Sequence, residues 1–449
     1  MDNDKKYFEE NNNFFGNKID SKFMKECESL SRNAGSASND LTDQHKKFLA
    51  TCKRELGDEL PDSFDQWTDK EQFDHLISHI DKYFPNIPES LRFVLPATFE
   101  NGDCGRPANQ KPDWLDMDKF RRGQQFALRY YAVVSISNLM SLTQIFNFED
   151  GLKPLILSQN SDSPYRAFMR YLSTIKRFRN WYISDPWREG TPAYRDIQTV
   201  RRLHGAMRRK LCNMDDEEID RKCKLEYTHC PLLKAIAKDF EHSVCPMLKN
   251  QCPYTMTRMK GLNQGDMGGT QFACMSMIVL YPEKFGVYAS DEELHDFCYL
   301  WRGLGYLLGI KDEYNFCRGT LQEIRERCKD MIEQWIKPNY RNVTPEWEHM
   351  STCLFEASNC ITGTANFKVY LYFLCDIFEL NMTRLYKSFS LLDKLMYAAL
   401  KLLFQHLTKF PYVHYVLNIM LCAKMEKVSK FGSKEHANII NKYSKHFAY

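Results

Sequence analysis

The feature that most constrains the fold of this chain is the spacing of its apolar residues. They recur at intervals of three and four over long stretches; between Met117 and Phe146, for example, Phe126, Tyr130 and Val133 follow this rhythm. We find no useful run of alternating apolar and polar residues, no alternation of strand-like with helix-like segments and no internal repeat. A period of three to four residues is typical of helices, whereas strands have a period of two, so the sequence predicts an all-α fold.

Composition shifts along the chain divide it into four regions. Residues 1–40 are rich in Asn, Asp, Lys, Glu and Ser and are predicted to form a flexible N-terminal segment. A concentration of Gly, Pro, Asn and Asp at 101–112 predicts a boundary, which makes residues 41–110 an N-terminal helical extension. We expect residues 111–340 to form the central domain and residues 341–449 to form a C-terminal helical region that packs on it.

The overall charge and the N-terminus limit the class of protein. With 61 Lys and Arg against 58 Asp and Glu, the chain lacks the strong basic excess of a nucleic-acid binder. The N-terminal residues contain no apolar stretch of signal-peptide length, and no segment has the ~18 uninterrupted apolar residues of a spanning helix. We therefore expect a cytoplasmic protein in which the 16 cysteines are mostly small buried hydrophobes.

Two apolar segments near the C-terminus allow two interpretations. Phe389–Phe404 contains Asp393, Lys394 and Lys401, and the chain then continues to the mostly apolar Val413–Cys422. A buried pair of core helices is the favoured interpretation. The alternative is peripheral membrane contact, in which a helix lies in a membrane interface and its cationic side chains extend to the rim.

Two helices in the middle of the chain have clear start signals. Asp162-Ser163-Pro164 offers an N-cap acceptor followed by Pro in the first turn, which predicts a helix from Pro164 to about Ile183. The second helix is predicted from Thr191-Pro192 to about Leu211, and His204 lies within its apolar stripe. Arg170 and Thr174 are one turn apart on the first helix, so their polar groups can converge on one small volume.

A histidine on an inward helix face must have its polar nitrogens satisfied. His204 could achieve this as a hydrogen-bonded core residue, through an acid/base partner, or as a ligand of a metal or haem. Gly205 beside it would suit close approach of a flat cofactor, or equally of another helix. Arg170 and Thr174 taken alone fit a solvated helix face, so the residues by themselves leave these alternatives open.

Four segments in a fixed order resemble the rubber-oxygenase family, which includes latex clearing protein and the ER-bound oxygenase of mycophenolic acid biosynthesis. They are the Arg-x-x-x-Thr pair in RYLST at Arg170–Thr174, the histidine of LHGAMRR at His204, LNQGDMGGTQF at Leu262–Phe272, and EELHDFCYLWRGLGYLLGIKDE at Glu292–Glu313. The resemblance that they carry covers roughly residues 115–340, about half of the chain.

The resemblance implies a globin-like helical core that holds b-type haem, with additional N- and C-terminal helices. It assigns the haem-binding, catalytic part to residues 111–340. His204 matches the proximal iron ligand of the family, and Arg170 and Thr174 match its distal-pocket residues. A neutral imidazole on an apolar face can supply one axial ligand to haem iron.

The remaining family segments suggest mainly structural roles. Asn263, Asp266 and Thr270 could cap or cross-link helix ends. The glycines of the WRGLG segment would allow close helix approach. Arg302 in the same segment is predicted to contact a haem propionate, because a cation suits a carboxylate.

The chain departs from the family at two places. Ser173 stands where latex clearing protein has a lysine that can act as a second axial ligand, and no carboxylate has the spacing of the family's proposed general base, although Glu149 and Asp150 lie nearby.

Our first hypothesis is a haem-dependent oxygenase that uses O2 to cleave a carbon–carbon double bond in an isoprenoid or other apolar lipid. The departures favour an alternative, a non-catalytic carrier of haem or of a hydrophobic ligand; a third is a cofactor-free helical interaction protein.

Other site classes have weaker support. A stretch of 41 residues contains seven candidate zinc ligands: Cys212, Cys223, His229, Cys230, His242, Cys245 and Cys252. The short C-x2-4-C spacing of structural zinc sites does not occur there. We also find no GxGxxG, P-loop, GxSxG or HExxH pattern, so kinase, NTPase, dinucleotide-dehydrogenase and serine-hydrolase functions are not indicated.

Overall fold

The computed structural model describes residues 43–225, 230–240, 259–363 and 365–444. The segment predicted to be flexible, residues 1–40, lies outside these ranges. Within them the fold is all-α, which confirms the prediction, and an isolated bridge between Asn101 and Asn263 is the single β-type pairing found there.

The helical elements are numbered in chain order over the described residues. The α-helices are α1 Asp43–Leu56, α2 Asp69–Ser78, α3 Ile80–Tyr83, α4 Val94–Thr98, α5 Met117–Arg129, α6 Tyr131–Ile145, α7 Glu149–Leu157, α8 Pro164–Ile183, α9 Pro192–Cys212, α10 Asp216–Cys223, α11 Leu233–Asp239, α12 Gln264–Leu280, α13 Asp291–Leu307, α14 Leu321–Asp330, α15 Lys337–Asn339, α16 Pro345–Thr362, α17 Phe367–Ile377, α18 Thr383–Lys387, α19 Leu391–Gln405, α20 Pro411–Ser429 and α21 Ser433–Ser444. A π-helical segment, Met331–Ile336, joins α14 to α15. Short 3-10 turns occur at Gly57–Glu59, Phe64–Gln66, Glu89–Leu91, Pro282–Phe285, Asp312–Tyr314, Tyr340–Asn342 and Leu407–Lys409.

One continuous hydrophobic core extends from Phe48 in α1 to Tyr443 in α21. Within it α5 packs against α13, α6 against α12, and α8 against both α9 and α16. The α5–α13 crossing is close because Gly123 faces the backbone carbonyl of Asp296, where any larger side chain would collide. This packing fixes α8 from several sides, and α9 packs against α8; these two helices carry the candidate site.

The predicted helical stretch from Met117 to Phe146 is two helices in the structure, since the chain turns at Tyr130 between α5 and α6. The Tyr130 hydroxyl donates to the Tyr288 carbonyl at 3.0 Å, and its ring packs edge-on against His414. These contacts come from distant parts of the chain, so the local pattern did not contain them.

The two central helices begin where the sequence predicted. Ser163 accepts a hydrogen bond from the Arg166 backbone N–H, with Pro164 in the first turn of α8. Thr191 accepts one from the Tyr194 N–H in the same way at the start of α9. Each cap satisfies one of the backbone donors that a helix leaves unpaired at its start, which explains why the starts could be predicted from local sequence.

The favoured interpretation of the C-terminal segments as a buried core pair is wrong. Of the residues of α19, Asp393 and Phe404 are buried, and α20 buries His414, Met425 and Val428. Large apolar side chains on both helices face solvent instead. No helix in the described part of the chain is long and apolar enough to cross a membrane.

Candidate functional site

The structure contains a large cavity, of about 1700 Å3, among α6, α7, α8, α9, α12, α19 and α20. We call it the main cavity. His204, Arg170, Thr174 and Ser173 all line it. Its walls are mainly apolar, with Val200, Leu203 and Met207 from α9, Ile136, Leu139 and Leu142 from α6, and Phe178, Trp181 and Trp301 among the aromatic residues. The two helices singled out by sequence therefore contribute their candidate residues to one cavity.

His204 is held in the cavity wall by α9, which charged contacts fix about one turn before and one turn after it. Arg201, three residues before His204, pairs with Asp103, and Arg208, four residues after it, donates to the carbonyls of Lys260 and Gly261. Gly205 does not face the main cavity; it lines a small surface groove beside Arg201 instead. This glycine thus does not provide the close cofactor approach considered for it.

The imidazole of His204 lacks the hydrogen bonds of an ordinary core histidine. Its Nδ1 is buried and has no hydrogen-bond partner among the described residues. Burial lowers the pKa of His204 to about 4, with a further contribution from the positive charge of Arg170, whereas Asp103 acts in the opposite direction. The ring is therefore neutral at neutral pH and keeps a nitrogen lone pair available for a ligand.

Arg170 and Thr174 face the same cavity from α8. The Nη1 of Arg170 donates to two neutral hydroxyls, Ser158 Oγ at 3.2 Å and Ser161 Oγ at 3.1 Å. No carboxylate pairs with Arg170 among the described residues, so its charge is not neutralised locally. The Thr174 hydroxyl donates to the Arg170 carbonyl at 3.1 Å and keeps its lone pairs for a second contact.

A carboxyl group that the sequence analysis treated as structural also lines the cavity. Asp266 lies in the first turn of α12, where its backbone N–H donates to the Asn263 side chain at 2.9 Å. Asn263 is thus the N-cap, as predicted, but the Asp266 carboxyl faces the main cavity. Burial raises the pKa of Asp266 to about 6, although Arg208 and two backbone hydrogen bonds oppose the shift.

Arg302 does not line the main cavity. Its guanidinium forms two hydrogen bonds to Asp312, at 3.2 and 2.7 Å, and stacks on the Trp114 ring. Its role as a haem-propionate partner stays a prediction. The neighbouring glycines do serve close packing, with Gly303 against the Phe120 ring and Gly305 against the Gln271 amide.

The described residues contain no group of three or more His, Cys, Asp or Glu side chains that could hold a metal ion by themselves. Of the seven candidate zinc ligands, His229, His242, Cys245 and Cys252 lie outside the described residues. A haem site differs from such a cluster because the porphyrin supplies four nitrogen ligands and the protein supplies an axial one.

Comparisons with known proteins give one distant structural similarity. No protein-family model and no curated protein matches the sequence. In structure, the chain is similar to latex clearing protein. The matched structure is that of latex clearing protein in the closed state, with a TM-score of 0.47 and 16% identity, covering 80% of this chain and 90% of that one.

Proposed function

We propose that the protein is a haem-dependent oxygenase that uses O2 to cleave a carbon–carbon double bond in an apolar, isoprenoid or lipid-like substrate. The observation that carries the proposal is the convergence of His204, Arg170 and Thr174 on one large apolar cavity. Their sequence positions alone leave several roles open, and the resemblance adds the roles in a haem site. Their meeting in one cavity gives the resemblance a physical basis.

The residues present fit a haem group. His204 offers a buried, neutral imidazole with an unsatisfied nitrogen and would hold the haem iron through it. The aliphatic and aromatic walls suit a flat apolar macrocycle. The cavity, of about 1700 Å3, is larger than an ordinary small-ligand site of roughly 300–1,000 Å3. The cofactor, when bound, would supply activation of O2.

The chain's own groups would prepare the cavity for this reaction. Arg170 brings a positive charge that no carboxylate among the described residues neutralises, and the Thr174 hydroxyl can donate to a bound ligand when it rotates away from the Arg170 carbonyl. Both stabilise negative charge that develops on oxygen atoms, and the apolar walls strengthen the effect because water is excluded. Asp266 adds a group that can hold a proton near neutral pH within the same cavity.

The first test is the absorbance spectrum of the purified protein supplied with haem. We expect a haem spectrum in the wild type that His204→Ala abolishes or strongly weakens. His79→Ala is the matched control, because His79 is an exposed histidine in the N-terminal part and does not line the cavity. An unchanged spectrum in His204→Ala would refute the assignment of His204.

The second test is O2 uptake with unsaturated isoprenoids. Arg170→Ala should lower turnover by about a hundredfold, the typical cost of losing one charge-stabilising donor, while haem content stays largely intact. Arg166→Ala is the control, since Arg166 lies one turn earlier on α8, pairs with Asp162 and does not line the cavity. Haem binding without O2 consumption on any such lipid would support the carrier function instead.

A further inference from the structure

The exposed apolar residues of the described chain concentrate on α19, α20 and their connection. Eleven large apolar side chains there are exposed: Leu391, Leu392, Leu395, Leu402, Leu407, Phe410, Tyr412, Tyr415, Val416, Ile419 and Met420. We call them the apolar surface. Elsewhere in the described ranges, Ile183, Tyr288 and Tyr386 are the large apolar residues with comparable exposure. Patches of this kind usually mark an interaction site.

The exposed apolar residues of α20 share one side of the helix. Tyr412, Tyr415, Val416, Ile419 and Met420 are spaced by three and four residues, so they lie on one face of the helix. The exposed fraction reaches 82% for Tyr412 and 66% for Tyr415. The inward side of α20 is apolar as well, with Met425 and Val428 buried, so the outward apolar side needs a partner of its own, which a lipid interface would supply.

The charges around the apolar surface favour an anionic partner. Residues 391–430 contain six lysines and two carboxylates. Both carboxylates are already paired, Asp393 with Lys368 and Glu426 with Lys430. Lys401 pairs with Asp376 in addition, which leaves four of the six lysines without a carboxylate partner among the described residues. The local field is therefore positive, which attracts the negatively charged headgroups of a membrane surface. Tyr412 and Tyr415 are of the residue type that is enriched at the level of the headgroups. Phe410 is of the type found on the apolar face of interfacial helices.

The apolar surface is continuous with the main cavity. Leu392 and Met420 are exposed and also line the cavity, and further lining residues follow on both helices: Met396, Ala399, Leu400, Leu403, Leu417, Leu421 and Lys424. The cavity therefore reaches the protein surface between α19 and α20. An apolar molecule in a bilayer would meet this opening without first passing through water.

We propose that α19 and α20 dock on the surface of an anionic lipid bilayer, so that apolar ligands pass from the bilayer into the main cavity between them. The docking itself depends only on the apolar surface and the lysines. The passage of a substrate rests on the proposed function. A second copy of this chain could also cover the surface, and that outcome would overturn the proposal.

Vesicle co-sedimentation of the full chain tests the docking without haem or substrate. We expect binding to vesicles of phosphatidylcholine and phosphatidylserine in equal parts, weaker binding to pure phosphatidylcholine, and loss of binding at high salt. The triple variant Phe410→Ser, Tyr412→Ser, Tyr415→Ser should bind at least tenfold more weakly. Lys394→Glu with Lys409→Glu should weaken anionic-vesicle binding by roughly fivefold or more per lysine.

Tyr288→Ser is the matched control, since Tyr288 is an exposed tyrosine outside the apolar surface. Three outcomes would overturn the proposal. The wild type could fail to bind either vesicle, the triple variant could bind as tightly as the wild type, or size-exclusion chromatography could show a dimer that the triple variant separates into monomers. Unchanged circular dichroism verifies that the exposed substitutions leave the fold intact.

The passage of substrate has its own readout. With an isoprenoid delivered in anionic vesicles, the triple variant should consume O2 at least tenfold more slowly than the wild type. With the same isoprenoid dissolved in detergent the two should be equal, because none of the three substituted residues lines the main cavity. Equal rates in vesicles would refute membrane delivery, whereas the absence of O2 consumption under both conditions would refute the proposed function and leave the docking result standing.

Discussion

Asp266→Asn is the sharpest test of the chemistry assigned to the main cavity. Burial raises the pKa of the Asp266 carboxyl from its ordinary value of 3.8 to about 6. In the unfolded chain the group ionises near its ordinary value, so between the two pKa values the folded state binds more protons than the unfolded state. Stability therefore falls as pH rises through this window, and it stays lowered above pH 6.

The magnitude follows from the two pKa values. The difference between 3.8 and about 6 corresponds to about 3 kcal/mol at 1.36 kcal/mol per pKa unit, which is an upper limit because cavity water would reduce it. Asparagine has the shape of the neutral carboxyl and carries no charge. Asp266→Asn should therefore be more stable than the wild type at pH 7.5 by up to about 3 kcal/mol, and the two should be equal near pH 4.

Thermal unfolding midpoints of the haem-free protein from pH 4 to pH 8 measure this difference. Asp118→Asn is the control, because the Asp118 carboxylate is 82% exposed and pairs with Arg121 at the surface, where ion pairs contribute little. The control should track the wild type at every pH. A stability gain that is the same at pH 4 and pH 7.5, or no gain at either pH, would refute the buried, apolar setting described for Asp266.

Three further predictions concern the frame that holds the site. Asn263→Ala should lower the stability by about 1 kcal/mol through loss of the α12 N-cap, and Asn263→Ser should restore most of it in chemical denaturation. Gly123→Ala should destabilise the fold by roughly 1–3 kcal/mol because its methyl group would meet the Asp296 carbonyl. Gly269→Ala, with open space around it, should be neutral or stabilising by up to about 1 kcal/mol. The reverse order of stabilities would contradict the close helix crossing at Gly123. Asp103→Ala should lower the free energy of unfolding by about 3–5 kcal/mol because Arg201 would stay buried without its charge partner. The double variant with Arg201→Met should recover part of this stability. Strictly additive effects in the double-mutant cycle would show that the two residues do not interact.

The sequence could predict what depends on neighbours along the chain. The starts of α8 and α9 follow from Ser163 and Thr191, whose side chains bond backbone groups three residues later. The same logic found the Asn263 cap. Because these interactions lie within one turn of helix, a single sequence contains all of their partners.

Features that depend on distant contacts could not be predicted in this way. The turn at Tyr130 depends on Tyr288 and His414, and the raised pKa of Asp266 depends on the cavity that other helices build around it. Asp266 followed an N-cap residue, which is also where ordinary helix-capping carboxylates occur, so its position indicated a structural role. Only the fold distinguishes a carboxyl that faces solvent from one that faces a cavity.

The exposed C-terminal helices, α19 and α20, are a second case in which local sequence could not predict the surroundings of a residue. An apolar stripe at helical spacing predicts burial, but it does not distinguish burial against protein from burial against lipid. The spacing of apolar residues on α20 correctly predicts a helix, whereas the predicted burial of that helix in the core is wrong. The lysines provide the distinguishing signal, since six of them beside two paired carboxylates would be an unusual composition for a buried helix pair.

The distribution of polar groups around the main cavity connects the two proposals. Arg170, Thr174, His204 and Asp266 come from α8, α9 and α12, whereas Lys424 is the one charged group among the cavity residues of α19 and α20. An apolar chain that passes between α19 and α20 would therefore meet few groups able to hold it by hydrogen bonds. The two helices that contact the membrane surface would pass apolar substrates without specificity. Substrate selection would occur deeper in the cavity, at the charged and hydroxyl groups of α8, α9 and α12. Substitutions on the apolar surface should then change the rate of delivery from vesicles, while substitutions at Arg170 or Thr174 should change turnover whichever way the substrate is supplied.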